Sequence, residues 1–290
     1  MRHLDPGPPP AALASPKAEA ERAALRAYYS TPGNEKLPYK KGFTAYKGDG
    51  VRDRLTEVFH GKCAYCETSY KASQPADIEH FRPKGGVTID GTKPQPPGYW
   101  WLASDWMNLL PSCSDCNRPR AQDFPAGMPR TAGKANRFPV ASEKTRATRP
   151  GQEAKERRLL LHPYLDHPEE HLHFVSGTDS IRDGEVEPAV LPDGRPSKMG
   201  ETSIEVYALQ RRGLVSQRFD VLCDLKGHLA RVLELRDEAL RDPSNPKYVA
   251  NFRQAVADVA RFTSEEHQYS AMCRQVVDQF RATHFKEAPP

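Results

Sequence analysis

Two Cys-x-x-Cys pairs constrain this chain more than any other feature: KCAYC supplies Cys63 and Cys66, and CSDCN supplies Cys113 and Cys116. Two such knuckles supply the four thiolates of a tetrahedral zinc site. A lone pair would fit redox chemistry equally well, but two in one short stretch point to a metal. The segment between the pairs is longer than a zinc ribbon uses. The ion therefore clamps the base of a loop that holds something else. That loop carries IEHFRPK (Ile78 to Lys84) and DWMNLLP (Asp105 to Pro111), and Asn117 follows the last cysteine.

The rest of the chain sets limits around this stretch. Its 290 residues can bury a sizeable core, and 28% charged against 38% hydrophobic residues suit a soluble globular protein. No apolar run approaches the roughly 18 residues that span a bilayer. MRHLDPGPPPAALASPKAEAE lacks the apolar core of a signal peptide and reads as a flexible arm. A cytoplasmic protein is expected, in which reduced cysteines favour metal over disulfide. The net charge of +4 is unevenly spread: Pro111 to Leu160 holds eleven Lys/Arg against five acids. Such a segment beside a metal site suits a phosphate backbone, or equally a solvated surface run.

Hydrophobic spacing predicts a helix over 16–30 and another over 51–60, which runs straight into the first knuckle. ETSYKASQPADIEHFRPK reads as two short strands joined by a Ser73–Pro75 turn. The aromatic run YWWLASDWMNLLPSC would wall a unit too small to bury enough aliphatic surface. QEAKERRLLL is helix-prone, and a hairpin follows around Asp183–Gly184 and Asp193–Gly194. Thr202 to Arg241 has the periodicity of one long helix, broken by DPSNP at 242–246. More helix runs from Tyr248 to about Phe280, restarting at Thr263 with Glu266 as capping-box partner. His167 and His171 in HPEEH have zincin spacing, but Pro168 stands where a zincin has its glutamate, so turn packing is the default. Cys223 and Cys273 are expected to be buried small hydrophobes. The expected class is α+β: a small zinc-stapled unit within a mostly helical chain. The divisions are an arm and helix over 1–50, the zinc unit over 51–150 and a helical region over 151–290.

The order Glu79–His80, Asn108, Asn117 resembles the HNH endonucleases, whose ββα-metal core puts an acid–His pair on its first strand. CAYCE, IEHFRPK, YWWLASDWMNLLPSCSDCN, NRFP, LLLHPYLDHPEEHLHF and ETSIEVYALQRRGLVSQR are similar to the PtuB-type HNH proteins of Septu and retron-associated anti-phage systems. The likeness covers roughly Gly61 to Arg218. It implies a metal-dependent endonuclease acting with a PtuA-like ATPase; DNA is the favoured substrate over RNA such as tRNA, and the lack of a long apolar run argues against a membrane partner. It also implies that Asn108 fixes the loop that orients His80. The helical C-terminal third would hold the partner surface.

The residues suit that chemistry. Phosphodiester hydrolysis needs a water, a base for its proton and a cation at the phosphate. His80 suits the base, since neutral imidazole titrates at about 6.5. Glu79 and Asn117 offer hard oxygens to Mg²⁺ or Mn²⁺, beside a structural Zn²⁺ on the cysteines. Asp77 shares a strand face with Glu79, and Asn136 is a second candidate for the closing asparagine. Arg82, Lys84, Arg118 and Arg120 lie beside these positions and could grip phosphates. The alternatives are a zinc-stabilised binding module without catalysis and a thiol redox enzyme.

Overall fold

The computed structural model describes residues 1–72, 75–89, 91–125, 127–177 and 181–285. Helices dominate, and among the described residues the strands pair as three small antiparallel two-stranded sheets. Helix α1, Pro16–Ser30, starts where the Ser15 hydroxyl accepts from the Ala18 amide and proline takes the first turn, which needs no N–H there. It buries Ala18, Leu25 and Tyr29 along one stripe, and Tyr29 stacks on Trp100 at 4.8 Å. Helix α2, Val51–Val58, turns Val51 and Leu55 onto Leu13, Trp106 and Leu109. The aromatic run does wall this unit, with Tyr99 and Trp106 buried.

Strand β1, Asp77–His80, pairs with β2, Leu109–Ser112, in the register Asp77↔Ser112 to His80↔Leu109. A single helical turn, α3, Ser114–Asn117, follows β2 directly. Strand, strand and turn thus place the acid–His pair, the last two cysteines and Asn117 within one small unit. Next come β3, Arg120–Gln122, and β4, Arg130–Ala132. The expected hairpin near Asp183–Gly184 forms as β5, Leu172–Phe174, against β6, Val186–Pro188. The chain closes with α4 (Lys198–Val206), α5 (Arg212–Arg241), α6 (Pro246–Phe262) and α7 (Ser270–His284). No helix of the described residues is long and apolar enough to cross a membrane.

Several expectations fail for identifiable reasons. The first strand, after Cys66, does not form. Cys63 N donates to the Thr68 carbonyl and Lys62 meets Ser69 in a lone bridge, so the backbone there closes the knuckle. Of the expected turn, Ser73 and Gln74 lie outside the described residues. QEAKERRLLL forms one 3₁₀ turn, Glu153–Lys155, because Glu153 and Glu156 reach inward to Trp101, Tyr99 and Arg82. The helix expected over 202–241 breaks at Tyr207–Arg211, where Ala208 takes a left-handed φ of 52°. No capping box forms at Thr263; α7 begins seven residues later, after Tyr269 at φ 55°. Cys223 is exposed, whereas Cys273 is buried.

The first residues pack down rather than trail. Met1 is buried, Leu4 N donates to the Pro163 carbonyl, and Trp106 Nε1 donates to the Pro6 carbonyl. One apolar cluster runs from Met1 and Phe59 through Phe138 and Leu161 to Leu222 and Val276. It joins residues from all three expected divisions. Polar contacts add to it: Lys62 Nζ donates to the His267 carbonyl at 2.8 Å, and Ser270 Oγ donates to Glu67 at 2.9 Å.

Candidate functional site

The two knuckles converge. Sγ atoms of Cys63, Cys66, Cys113 and Cys116 all lie within 4.8 Å of one another, with Cys66 and Cys113 3.8 Å apart. Four thiolates about 2.3 Å from a tetrahedral ion would stand roughly 3.8 Å apart, so the cluster fits zinc. Nothing is cross-linked, since all six cysteines are free. Among the described residues this is the one group of three or more His, Cys, Asp or Glu able to hold a metal. The sequence gives no hint of its charge partner. Arg211, just before α5, donates Nη1 to Cys116 at 3.4 Å, and its Nη2 lies 3.5 Å from Cys66 and 3.9 Å from Cys113. Sulfur hydrogen bonds, first from Cys113, hold the Cys66 thiol well below its ordinary pKa, and Arg211 adds to this. The helix break at 207–211 is what brings Arg211 here.

Beside the knuckles, β1 turns Asp77 and Glu79 into one groove of about 650 Å³. Asn117, Lys84, Arg118 and Lys47 line it too. Asp77 is spoken for: Arg118 clamps both oxygens at 2.7 and 2.9 Å, and Asn117 Nδ2 donates to it at 3.1 Å. Those bonds and the cation outweigh burial, so its carboxyl sits below the usual range. Glu79 Oε1 accepts from the fully buried Lys134 at 2.6 Å, and Lys134 also donates to the His80 carbonyl at 3.0 Å. Glycine is required to put Lys134 there. At Gly133, φ 126°, a Cβ would lie 2.1 Å from the Arg118 carbonyl oxygen. Lys134 is a second residue that sequence reasoning missed, because only folding brings it to Glu79.

His80 is buried one residue further on. Its Nε2 lies 2.9 Å from the Ala103 carbonyl, which can only accept, so Nε2 carries the proton and Nδ1 the lone pair. Lys84 Nζ donates to that Nδ1 at 3.1 Å, while Tyr46 meets the ring edge-on at 4.5 Å. Burial first, then the Lys84 charge, push the His80 pKa well below its ordinary value. Burial likewise brings Lys84 down to about 8, and Glu79 opposes that. Asn108 staples the surrounding loops. Its Oδ1 accepts from Arg82 N at 2.7 Å, and its Nδ2 donates to the carbonyls of Arg82 and Leu102 at 3.1 Å each. These bonds fix the chain two residues after His80 and the residue before its Ala103 acceptor.

The basic residues divide. Arg118 and Arg120 are exposed, paired with Asp77 and Asp115. Arg82 is committed inward: Nε donates to Glu156 at 2.9 Å and the guanidinium lies over Phe138 at 5.1 Å. It is turned away from the groove that Lys84 and Arg118 line. Asn117 lines the groove whereas Asn136 does not. The histidines of 162–173 go separate ways. His162 is buried against the Met107 carbonyl, His167 stacks on His3, and His171 bonds Ser197.

No protein-family model matches the chain. Curated proteins do. Septu protein PtuB of Bacillus mycoides (strain KBAB4) is 40% identical over 194 residues, which are 66% of this chain and 57% of that protein. Septu protein PtuA of the same strain is 34% identical over 171 residues, 58% of this chain and 20% of that one. Septu protein PtuB of Bacillus thuringiensis is 37% identical over 68 residues, 23% of this chain and 22% of that protein. The chain thus spans a little over half the length of the first of these.

Proposed function

From the homology of this chain to Septu protein PtuB, we propose that it is an HNH-type, metal-dependent endonuclease serving an anti-phage defence system. The observation that carries the reading is the pairing on β1. Glu79 faces a groove that Asn117 and basic side chains share, while the next residue, His80, keeps Nδ1 as its basic atom. In this reading the β1–β2–α3 unit is the ββα-metal core, and the four cysteines hold a structural Zn²⁺. Glu79 Oε2 and Asn117 Oδ1 would hold Mg²⁺ or Mn²⁺, because few protein oxygens suit these ions. When bound, that ion supplies charge neutralisation at the phosphate and leaving oxygen.

The chain's own groups do the rest. Lys84 and Arg118 hold the scissile phosphate in the groove. A water oxygen bonds to phosphorus, its proton passes to His80 Nδ1, one ester P–O bond breaks, and the departing oxygen takes a proton from solvent. The Ala103 carbonyl holds the imidazole in the required tautomer, and Asn108 keeps that carbonyl and β1 in register. DNA is the favoured substrate over RNA. A PtuA-like ATPase is the favoured partner, docked on α5–α7. That a fifth of a PtuA is similar to this chain supports one system for both.

A second reading also has an observation in its favour. Lys134 already pairs with Glu79 and Lys84 with His80, as a zinc-stabilised binding module without catalysis would allow. One experiment separates them: purified protein with Mg²⁺ or Mn²⁺ against plasmid, linear DNA and total tRNA, beside a His80→Ala variant. Cleavage lost in the variant with zinc retained supports the nuclease. Unaltered cleavage removes His80 as base, and inactivity of the wild type, with and without the ATPase, supports the binding module.

A further inference from the structure

The groove holds a cation whose position the reaction alone does not require. Lys84 Nζ sits 3.1 Å from His80 Nδ1 and 4.6 Å from the Tyr46 ring centroid. No carboxylate of the described residues forms an ion pair with it, although Lys134 and Arg118 in the same region each have one. Because Nε2 already donates to Ala103, Nδ1 is the imidazole's one lone pair, and the ammonium covers it. A neutral nitrogen offers an ammonium a hydrogen bond but no opposite charge, whereas a phosphate oxygen offers both. Lys84 also lines the groove with Arg118 and Lys47, so an entering phosphate diester meets the same side chain.

We propose that Lys84 is a phosphate-released cap on His80: it covers Nδ1 while the groove is empty, and swings onto the backbone phosphate when nucleic acid enters. Lys84 then has two contacts in turn, His80 first and the phosphate second, and the base is uncovered only where a substrate is in place. Tyr46, in contact with both His80 and the Lys84 ammonium, is the surface along which the side chain moves. The idea rests on the nuclease reading for its purpose, but not for its geometry.

The test follows the imidazole directly. In protein labelled with ¹⁵N-histidine, without Mg²⁺ or Mn²⁺, the His80 Nδ1 resonance is recorded as an eight-nucleotide single-stranded DNA is added. Inorganic phosphate is added in a parallel titration. Wild type should shift with DNA, and Lys84→Met should start at the shifted position and not move. Kinetically, Lys84→Met should raise KM about tenfold or more through the lost phosphate contact, with kcat reduced far less. Lys84→Arg should restore KM in part. An Nδ1 resonance unmoved by DNA, or equal in free wild type and Lys84→Met, overturns the proposal. So does a kcat loss of about a hundredfold at unchanged KM. The resonance reports on the cap even if no nucleic acid is cleaved, so failure of the nuclease reading is seen separately, in the His80→Ala assay.

Discussion

The knuckle cluster and the groove share one small strand–strand–turn unit, which gives two cysteines to the first and Asp77, Glu79 and Asn117 to the second, yet they treat their ligating groups in opposite ways. The four sulfurs face one another within 4.8 Å and are largely buried, with Arg211 laid against three of them. At the groove, the two carboxylates and the buried imidazole beside them already face cations: Glu79 faces Lys134, Asp77 faces Arg118, and His80 faces Lys84. A closed set of identical donors stabilises a fold. Dispersed donors, each already facing its own cation, announce no particular ligand. The difference shows why the first site is recognisable from geometry alone and the second only from the roles its members can play.

Breaking the cluster should have the largest effect. Cys63→Ser, or prolonged chelation, should abolish cooperative thermal unfolding, because a structural zinc contributes on the order of 10 kcal/mol of folding free energy. About one zinc per chain, released only on unfolding, should accompany this, measured by metal analysis during a melt. Zinc that leaves a still-folded protein would put the cluster in the same class as the groove, and would favour thiol chemistry.

Lys134→Met tests the join between the regions. It leaves Glu79 buried without its counter-ion and should cost about 3–5 kcal/mol in denaturant unfolding. Adding Glu79→Gln should recover part of that loss. If the double variant is no more stable than Lys134→Met, the pair is not what holds β1 against the 133–135 turn.

The smallest effect concerns the groove's outer pair. The Asp77 carboxyl is held below its unfolded value, so its share of stability is present above about pH 4 and disappears as pH falls through the folded value. The pair is half open to solvent, so screening keeps this below about 1 kcal/mol. Asp77→Asn should flatten the acid limb of a stability–pH curve by that amount. A larger change would mean that the groove, like the knuckles, is part of the folding core.

What could be read from the chain follows the same division. The four cysteines declare themselves because metal spacing is local, whereas Glu79, His80, Asn108 and Asn117 are singled out only by their order along the chain. Helices α1, α2 and α6 start and stop near where apolar spacing and caps place them. Lys134 and Arg211 stay hidden because each meets its partner across a long sequence separation that only the fold closes. The break before α5 is also silent, since Ala208 adopts a left-handed backbone that no glycine or proline announces. Arg82 misleads for the opposite reason: it neighbours the site in sequence, but Glu156 and the aromatic rings draw it inward.

Helix α5 has 30 residues and is therefore about 45 Å long. One end abuts the sulfur cluster through Arg211, and the other stands at Arg241. A protein that grasped the distal end would hold a rigid rod seated on the four-cysteine cluster. Its near end rests on the same sulfurs that β1–β2–α3 helps to hold, so one element spans from that cluster to a tip about 45 Å away.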